Sequence, residues 1–240
     1  MPLRLCLIVC LIVLCGCNKT ASNAEPPVLQ SPANSNPTLL PVKVSGKWGY
    51  SDDSGKLIVT PQFDYADPFE GGRARICVGQ VGCDEWAIYS DIKDNDSHWG
   101  FIDASGKMVV TPQYPFVTRF SEGLSAVCTG DCSTHPKQQH ARGYIDREGK
   151  IVIPLQFGDA RNFKESLAAV CVGDCGLDEA GEWNGKWGFI NHSGTFVVNP
   201  QYDNVDDFTG GFAQVTLGRG KDAKIGYVNK TGKIIWAPSN

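Results

Sequence analysis

A chain of 240 residues with 26 acidic and 22 basic side chains carries a formal net charge of -4. No basic stripe runs along it, so a surface that reads phosphate backbones is excluded and no nucleic acid is expected as a partner. Abundant glycine (27 residues), 10% aromatics and only 20% charged residues fit many short strands joined by turns rather than long helices or a disordered chain.

The first residues hold one early cation, Arg4, and then the apolar run Leu5–Leu14. That run is short of the ~20 residues a membrane-spanning helix needs and has the layout of a signal-peptide core. It ends in Leu14-Cys15-Gly16-Cys17, which resembles the bacterial lipobox. The resemblance implies a leader at 1–16, cleavage after Gly16, and diacylglyceryl and amino-terminal acyl groups on Cys17. Cys15 departs from the usual Ala, Ser or Thr. Several acyl chains would hold the protein at a membrane stably, where one would be marginal. Asn18 after the lipidated cysteine points to the outer membrane if the host is diderm. An ordinary secretory leader with incidental cysteines is the alternative.

Residues Asn18–Pro41 contain Pro26, Pro27, Pro32, Pro37 and Pro41 among small polar residues. They lack the large apolar groups that offset the entropy of ordering a chain. With Cys17 they are expected to form a disordered tether, 17–41. The folded body is expected to begin at Val42 and to run over 42–240.

That body repeats. WGYSDDSGKLIVTPQF starts at Trp48, WGFIDASGKMVVTPQY at Trp99, RGYIDREGKIVIPLQF at Arg142 and WGFINHSGTFVVNPQY at Trp187. A shorter copy, IGYVNKTGKIIWAP, starts at Ile225. The starts are 51, 43, 45 and 38 residues apart, a period that means stacked supersecondary units. Units begin near 47, 98, 141, 186 and 224. In each, an aromatic and β-branched run precedes an Asp or Asn, two further residues, and Gly; a second β-branched run follows. That is a hairpin signal, with Asx chemistry and a positive-φ glycine at the turn.

Pro61, Pro112 and Pro200, with Pro154 one residue earlier, are expected to end the second strand's ladder. Spaced apolar residues such as Tyr114, Val117, Phe120 and Leu124 suit a short irregular or 3₁₀ connection. A third strand then carries small and β-branched residues on one face (Ala74, Ile76; Ser125, Val127; Ala168, Val170; Ala213, Val215). Arg75, Ala126, Ala169 and Gln214 lie on the other face. The expected fold is all-β: tandem hairpin or three-stranded repeats, in an open solenoid-like or a closed propeller-like array.

Of ten cysteines, Cys6, Cys10 and Cys15 leave with the leader and Cys17 is the lipid site. The remaining six allow fifteen pairings, and the local set Cys77-Cys83, Cys128-Cys132 and Cys171-Cys175 is expected, each pair starting where the third strand ends. The fourth copy has Thr216 at the first position and lacks the second cysteine too. Joint loss is what mutual disulfides predict, and export makes them reasonable. Zinc is the competing reading, with His135 and His140 near Cys132, but Cys-x3-Cys is loose for a ligand pair. No metal and no cofactor are expected. Tyr89–Asp96 has three acids yet lacks the glycine and distal Glu of a calcium loop.

The pattern WG(F/Y)ID-x-x-GK…PQ(F/Y)…F-x-(E/G)G resembles the WG, or KWG, repeat family of bacterial proteins from Lys47 to Pro238. Arg142 and Ile225 in place of Trp, the insert Asp91–Asp96 and the cysteine pairs depart from it. The resemblance implies a β-rich repeat fold and no catalytic mechanism, so it carries no functional residues over.

Trp48, Trp99, Trp187 and Trp236 read first as packing residues and second as a ligand platform. Trp86 and Trp183 fall in irregular segments and are the better candidates for ligand contact. There is no Gly-x-Ser-x-Gly and no His-Glu-x-x-His, so no catalytic residues are assigned. The expectation is a lipid-anchored cell-envelope protein, attached to the membrane through Cys17, that binds or scaffolds another envelope protein, peptidoglycan or a glycan. The alternative is an envelope enzyme, or an accessory subunit of one, acting on a cell-wall or glycan substrate. Any localised function is expected where repeats differ, at Trp86–Asp96, Ser133–His140 or Gly176–Asn184.

Overall fold

Each copy closes its first hairpin with one side chain. Asp52 accepts hydrogen bonds at Oδ1 from the Ser54 amide, the Ser54 hydroxyl and the Lys56 amide. Asp103, Asn191 and Asn229 repeat the arrangement, and Asp146 repeats the two amide bonds. Gly55, Gly106, Gly149, Gly194 and Gly232 supply the positive φ, near +80°, which side chains disfavour. These acids are turn formers, as their regular spacing suggests.

The computed structural model describes residues 39–79, 83, 96–130, 132, 140–175 and 184–239, all within the compact unit Asn36–Asn240. The strands form five antiparallel sheets. The first has three strands: β1 (Leu40–Val44), β2 (Lys47–Ser51) and β3 (Leu57–Phe63). The second has four: β4 (Tyr65–Ala66), β5 (Arg73–Val78), β6 (His98–Asp103) and β7 (Met108–Tyr114). The third comprises β8 (Phe116–Val117), β9 (Ser125–Gly130), β10 (His140–Ile145) and β11 (Ile151–Phe157). The fourth comprises β12 (Asp159–Ala160), β13 (Ala168–Val172), β14 (Lys186–Ile190) and β15 (Phe196–Tyr202). The fifth comprises β16 (Asn204–Val205), β17 (Phe212–Leu217), β18 (Lys224–Asn229) and β19 (Ile234–Ser239).

Four differences from the sequence reading have physical causes. The connection after each hairpin contributes a two-residue strand rather than a 3₁₀ turn, so later sheets have four strands. Sheets and sequence copies are out of phase: the second sheet joins β4 and β5 of one copy to β6 and β7 of the next. The second strands run through their prolines, because a bulge separates the pairs Trp99–Tyr114 and Phe101–Val110. A proline is tolerated at such a bulge. The body also starts earlier than Val42, since β1 begins at Leu40 and Leu39 is buried.

The bulge explains the Trp-Gly pair. A Cβ on Gly49, Gly100, Gly143, Gly188 or Gly226 would run into the carbonyl oxygen of Val59, Val110, Ile153, Val198 or Trp236 on the neighbouring strand. Only glycine lets the bulged strand approach that closely.

The core lies between sheets. Tyr50, Val59 and Phe63 of the first sheet meet Ala66, Ala74, Ile76 and Ile102 of the second. Three further clusters repeat this at the next junctions. Both faces of the interior sheets are therefore buried. None of these four clusters joins the fifth sheet to the first. Among the described residues no helix is long and apolar enough to cross a membrane.

Candidate functional site

Both residues singled out as contact candidates, Trp86 and Trp183, lie outside the described residues, as do Cys17 and nearly all of the three segments where copies differ. The sulfurs of Cys77 and Cys83, Cys128 and Cys132, and Cys171 and Cys175 lie 2.03, 2.03 and 2.19 Å apart. Trp99 and Trp187 are buried. The guanidinium of Arg75 lies 4.4 Å from the Trp99 ring, and that of Arg161 lies 4.4 Å from the Trp187 ring. These two tryptophans pack the array.

Each junction is built the same way. The connection of one unit lays a phenylalanine on an aromatic ring of the sheet before it. Phe69 meets Tyr50 at 4.9 Å, Phe120 meets Phe101 at 4.5 Å, Phe163 meets Tyr144 at 5.0 Å and Phe208 meets Phe189 at 4.8 Å. Tyr50 and Tyr144 also donate their hydroxyls to the backbone carbonyls of Asp67 and Arg161, each at 2.7 Å. Burial is the first cause that pushes both phenols up, so they remain neutral donors.

Polar groups add to the joint. Asp67 accepts from Arg75 Nε at 2.8 Å and from Arg119 Nη2 of the next unit at 2.9 Å. Burial works to raise the Asp67 carboxyl, but the two guanidinium groups outweigh it and hold the group below the usual carboxylate range. Arg75 and Arg161 donate onward to the carbonyls of Val117 and Val205. Glu165 accepts from the amides of Gly210 and Gly211.

The fifth sheet carries this same face with nothing described upon it. Tyr227 occupies the position of Tyr50, Phe101, Tyr144 and Phe189, yet it is 41% exposed where those are at most 1%. Trp236 takes the place of Val59, Val110, Ile153 and Val198 and is 62% exposed. With Asp206, Asp207, Phe212, Gln214 and Ile235 they line a concavity of about 570 Å³. Asp207 pairs with Lys164 at 2.9 Å through Oδ2, while its Oδ1 is buried with no hydrogen-bond partner.

The sequence reading treated Trp236 as a further packing residue; the structure exposes it. The signal was present in the copies. A tryptophan stands where four others have Val or Ile, and Gln214 stands where the earlier ones have Arg75, Ala126 and Ala169.

A family described as WG containing repeat matches residues 48–80, 99–131, 143–174 and 187–221. The chain belongs to the WG repeat family. Each matched WG segment spans a hairpin, a connection and a third strand, so it straddles two sheets. The shorter WG copy at Ile225 lies beyond the matched residues but forms the same bulged hairpin. No curated protein matches the chain. Among solved structures, the crystal structure of the tricorn protease is similar with 15% identity and a TM-score of 0.34, over 82% of this chain and 22% of that one. The chain thus spans about a fifth of that protein's length, and a likeness at this level decides nothing about chemistry.

Proposed function

We propose that this WG repeat protein is a lipid-anchored binding or scaffolding component of a bacterial cell envelope. In this reading Cys17 carries the lipid, the residues after it form the tether, and the stacked sheets present a binding surface. The three cysteine pairs are disulfides formed after export, in keeping with an oxidising compartment. Its partner is another envelope protein, peptidoglycan or a glycan.

The observation that carries the binding reading is the fifth sheet's outer face. Large apolar faces on a folded protein mark interaction sites more often than they stand idle. Here Trp236, Tyr227 and Phe212 are all exposed beside an acidic concavity. Leucine-type lipobox spacing before Cys17 supports the anchor. The acids of the hairpin turns serve local structure, which favours binding over chemistry for those groups.

The test is metabolic palmitate labelling of the wild type and Cys17→Ser, with crosslinking in intact cells from a photoreactive residue at position 236. Lipid label lost in the variant, and a crosslinked adduct that depends on the anchor, are expected. Equal labelling of both proteins would sink the anchor, and absence of any adduct would sink the envelope partner.

A further inference from the structure

Four junctions inside the array show what this face accepts. In each, the connection that leads the chain into the next sheet inserts a phenylalanine against the central aromatic ring, with centroids 4.5–5.0 Å apart. Where that ring is a tyrosine, its hydroxyl takes the carbonyl two residues before the phenylalanine. At the second junction, Arg119, the residue just before Phe120, reaches back to Asp67.

The fifth sheet repeats the receiving half of all three contacts. Tyr227 supplies the ring, and among the described residues its hydroxyl meets only Gln214 of its own sheet, at 3.3 Å. Asp206 occupies the position of Asp67, and it is exposed with no ion pair among the described residues. Asp207 beside it leaves one buried carboxylate oxygen without a partner. The face is therefore aromatic at its centre and acidic at its rim, which fits a ligand that is aromatic with a cation next to the ring.

Resting on the binding reading above, we propose that this face docks a partner polypeptide through an extended segment containing arginine or lysine followed by phenylalanine. The phenylalanine sits against Tyr227 and Trp236. The cation pairs with Asp206, and the backbone carbonyl two residues before the phenylalanine accepts from the Tyr227 hydroxyl. The residues between Cys17 and Leu39 contain no aromatic side chain, so they cannot supply the ring. The first sheet of a second copy offers Leu40, Val42 and Val44 at β1, and its ring Trp48 is half-buried against Lys43 and Tyr65.

The probe is the acetylated and amidated peptide Val-Thr-Arg-Phe-Ser, the sequence of residues 117–121, titrated calorimetrically into the full chain. Saturable binding is expected, weakened about tenfold when the peptide's Phe or Arg is replaced by Ala. Asp206→Asn is expected to abolish the preference for the Arg peptide over its Ala form while preserving the preference for Phe. Trp236→Ala is expected to weaken both. The two side chains are exposed, so the variants retain the fold.

Absence of saturation up to about 5 mM, or equal affinity for the three peptides, would overturn the proposal. So would self-association of the chain that Trp236→Ala abolishes, since the occupant would then be a second copy. These results are independent of palmitate labelling and cellular crosslinking. The envelope-binding reading can stand while this partner chemistry fails.

Discussion

Arg75 and Asp67 meet inside the array, with Nε 2.8 Å from Oδ2 and side chains only 7% and 1% exposed. Arg119 of the next unit closes on the same carboxylate. One buried acid thus couples two consecutive units. Removing one partner of a buried pair leaves a charge without compensation, at about 3 kcal/mol. Asp67→Asn should destabilise the array by that order at neutral pH.

The pH dependence follows from the direction of the Asp67 shift. Its folded-state value lies below the ordinary one, so folding favours the ionised form. The stabilisation is present above the unfolded-state pKa and is lost as pH falls through the folded-state value. Urea denaturation of wild type and Asp67→Asn should therefore differ at pH 7 and converge under acid conditions. A gap that stays constant down to about pH 2 would contradict the assignment.

Gly100 should tolerate no side chain. Its Cβ would collide with the Val110 carbonyl and the Pro112 nitrogen. Gly100→Ala should cost about 1–3 kcal/mol by overpacking. Gly123→Ala is the control for left-handed strain, because that glycine has φ +89° and open space around the Cβ position. Thermal melts that rank Gly123→Ala above Gly100→Ala in damage would refute the close-approach account.

Phe163 is the ring that locks the third junction. It is fully buried, 5.0 Å from Tyr144 on one side and stacked at 4.4 Å on His192 on the other. Phe163→Ala should cost about 3–5 kcal/mol. Denaturant unfolding followed by tryptophan fluorescence checks it, and a loss below about 1 kcal/mol would show that the aromatic junction is not what holds neighbouring sheets together.

Each cysteine pair closes a very short loop, with sequence separations of 6, 4 and 4. Chain entropy then gives about 2 kcal/mol for each bond. The double variant Cys171→Ser, Cys175→Ser should lower stability by that order. Peptide mapping without reductant should recover the local pairs, and a peptide linking Cys83 to Cys128 would overturn the pairing.

The hairpins were legible because their information is local: Asp52 or Asn191 at a turn, glycine three residues on, and β-branched runs to either side. The third strand was legible from Ala74, Ile76 and their counterparts. The two-residue strand Tyr65–Ala66 was not, since it is too short to show a period. Pro112 misled because a proline blocks a ladder only where its missing amide is needed, and a bulge removes that need. Arg75 could not announce its partner, because the Asp67 and Arg119 contacts arise from stacking rather than from spacing. Trp236 was visible as an odd residue among the copies, but its exposure depends on what lies against its sheet.

The central claim is that the fifth sheet receives a partner as each inner sheet receives its neighbour. The most direct measurement is the amide chemical-shift map of the ¹⁵N-labelled full chain titrated with Val-Thr-Arg-Phe-Ser. The account predicts saturating shifts confined to Asp206, Asp207, Gln214, Tyr227, Trp236 and their strand neighbours. Shifts centred on Leu40–Val44, or scattered without saturation, would contradict it.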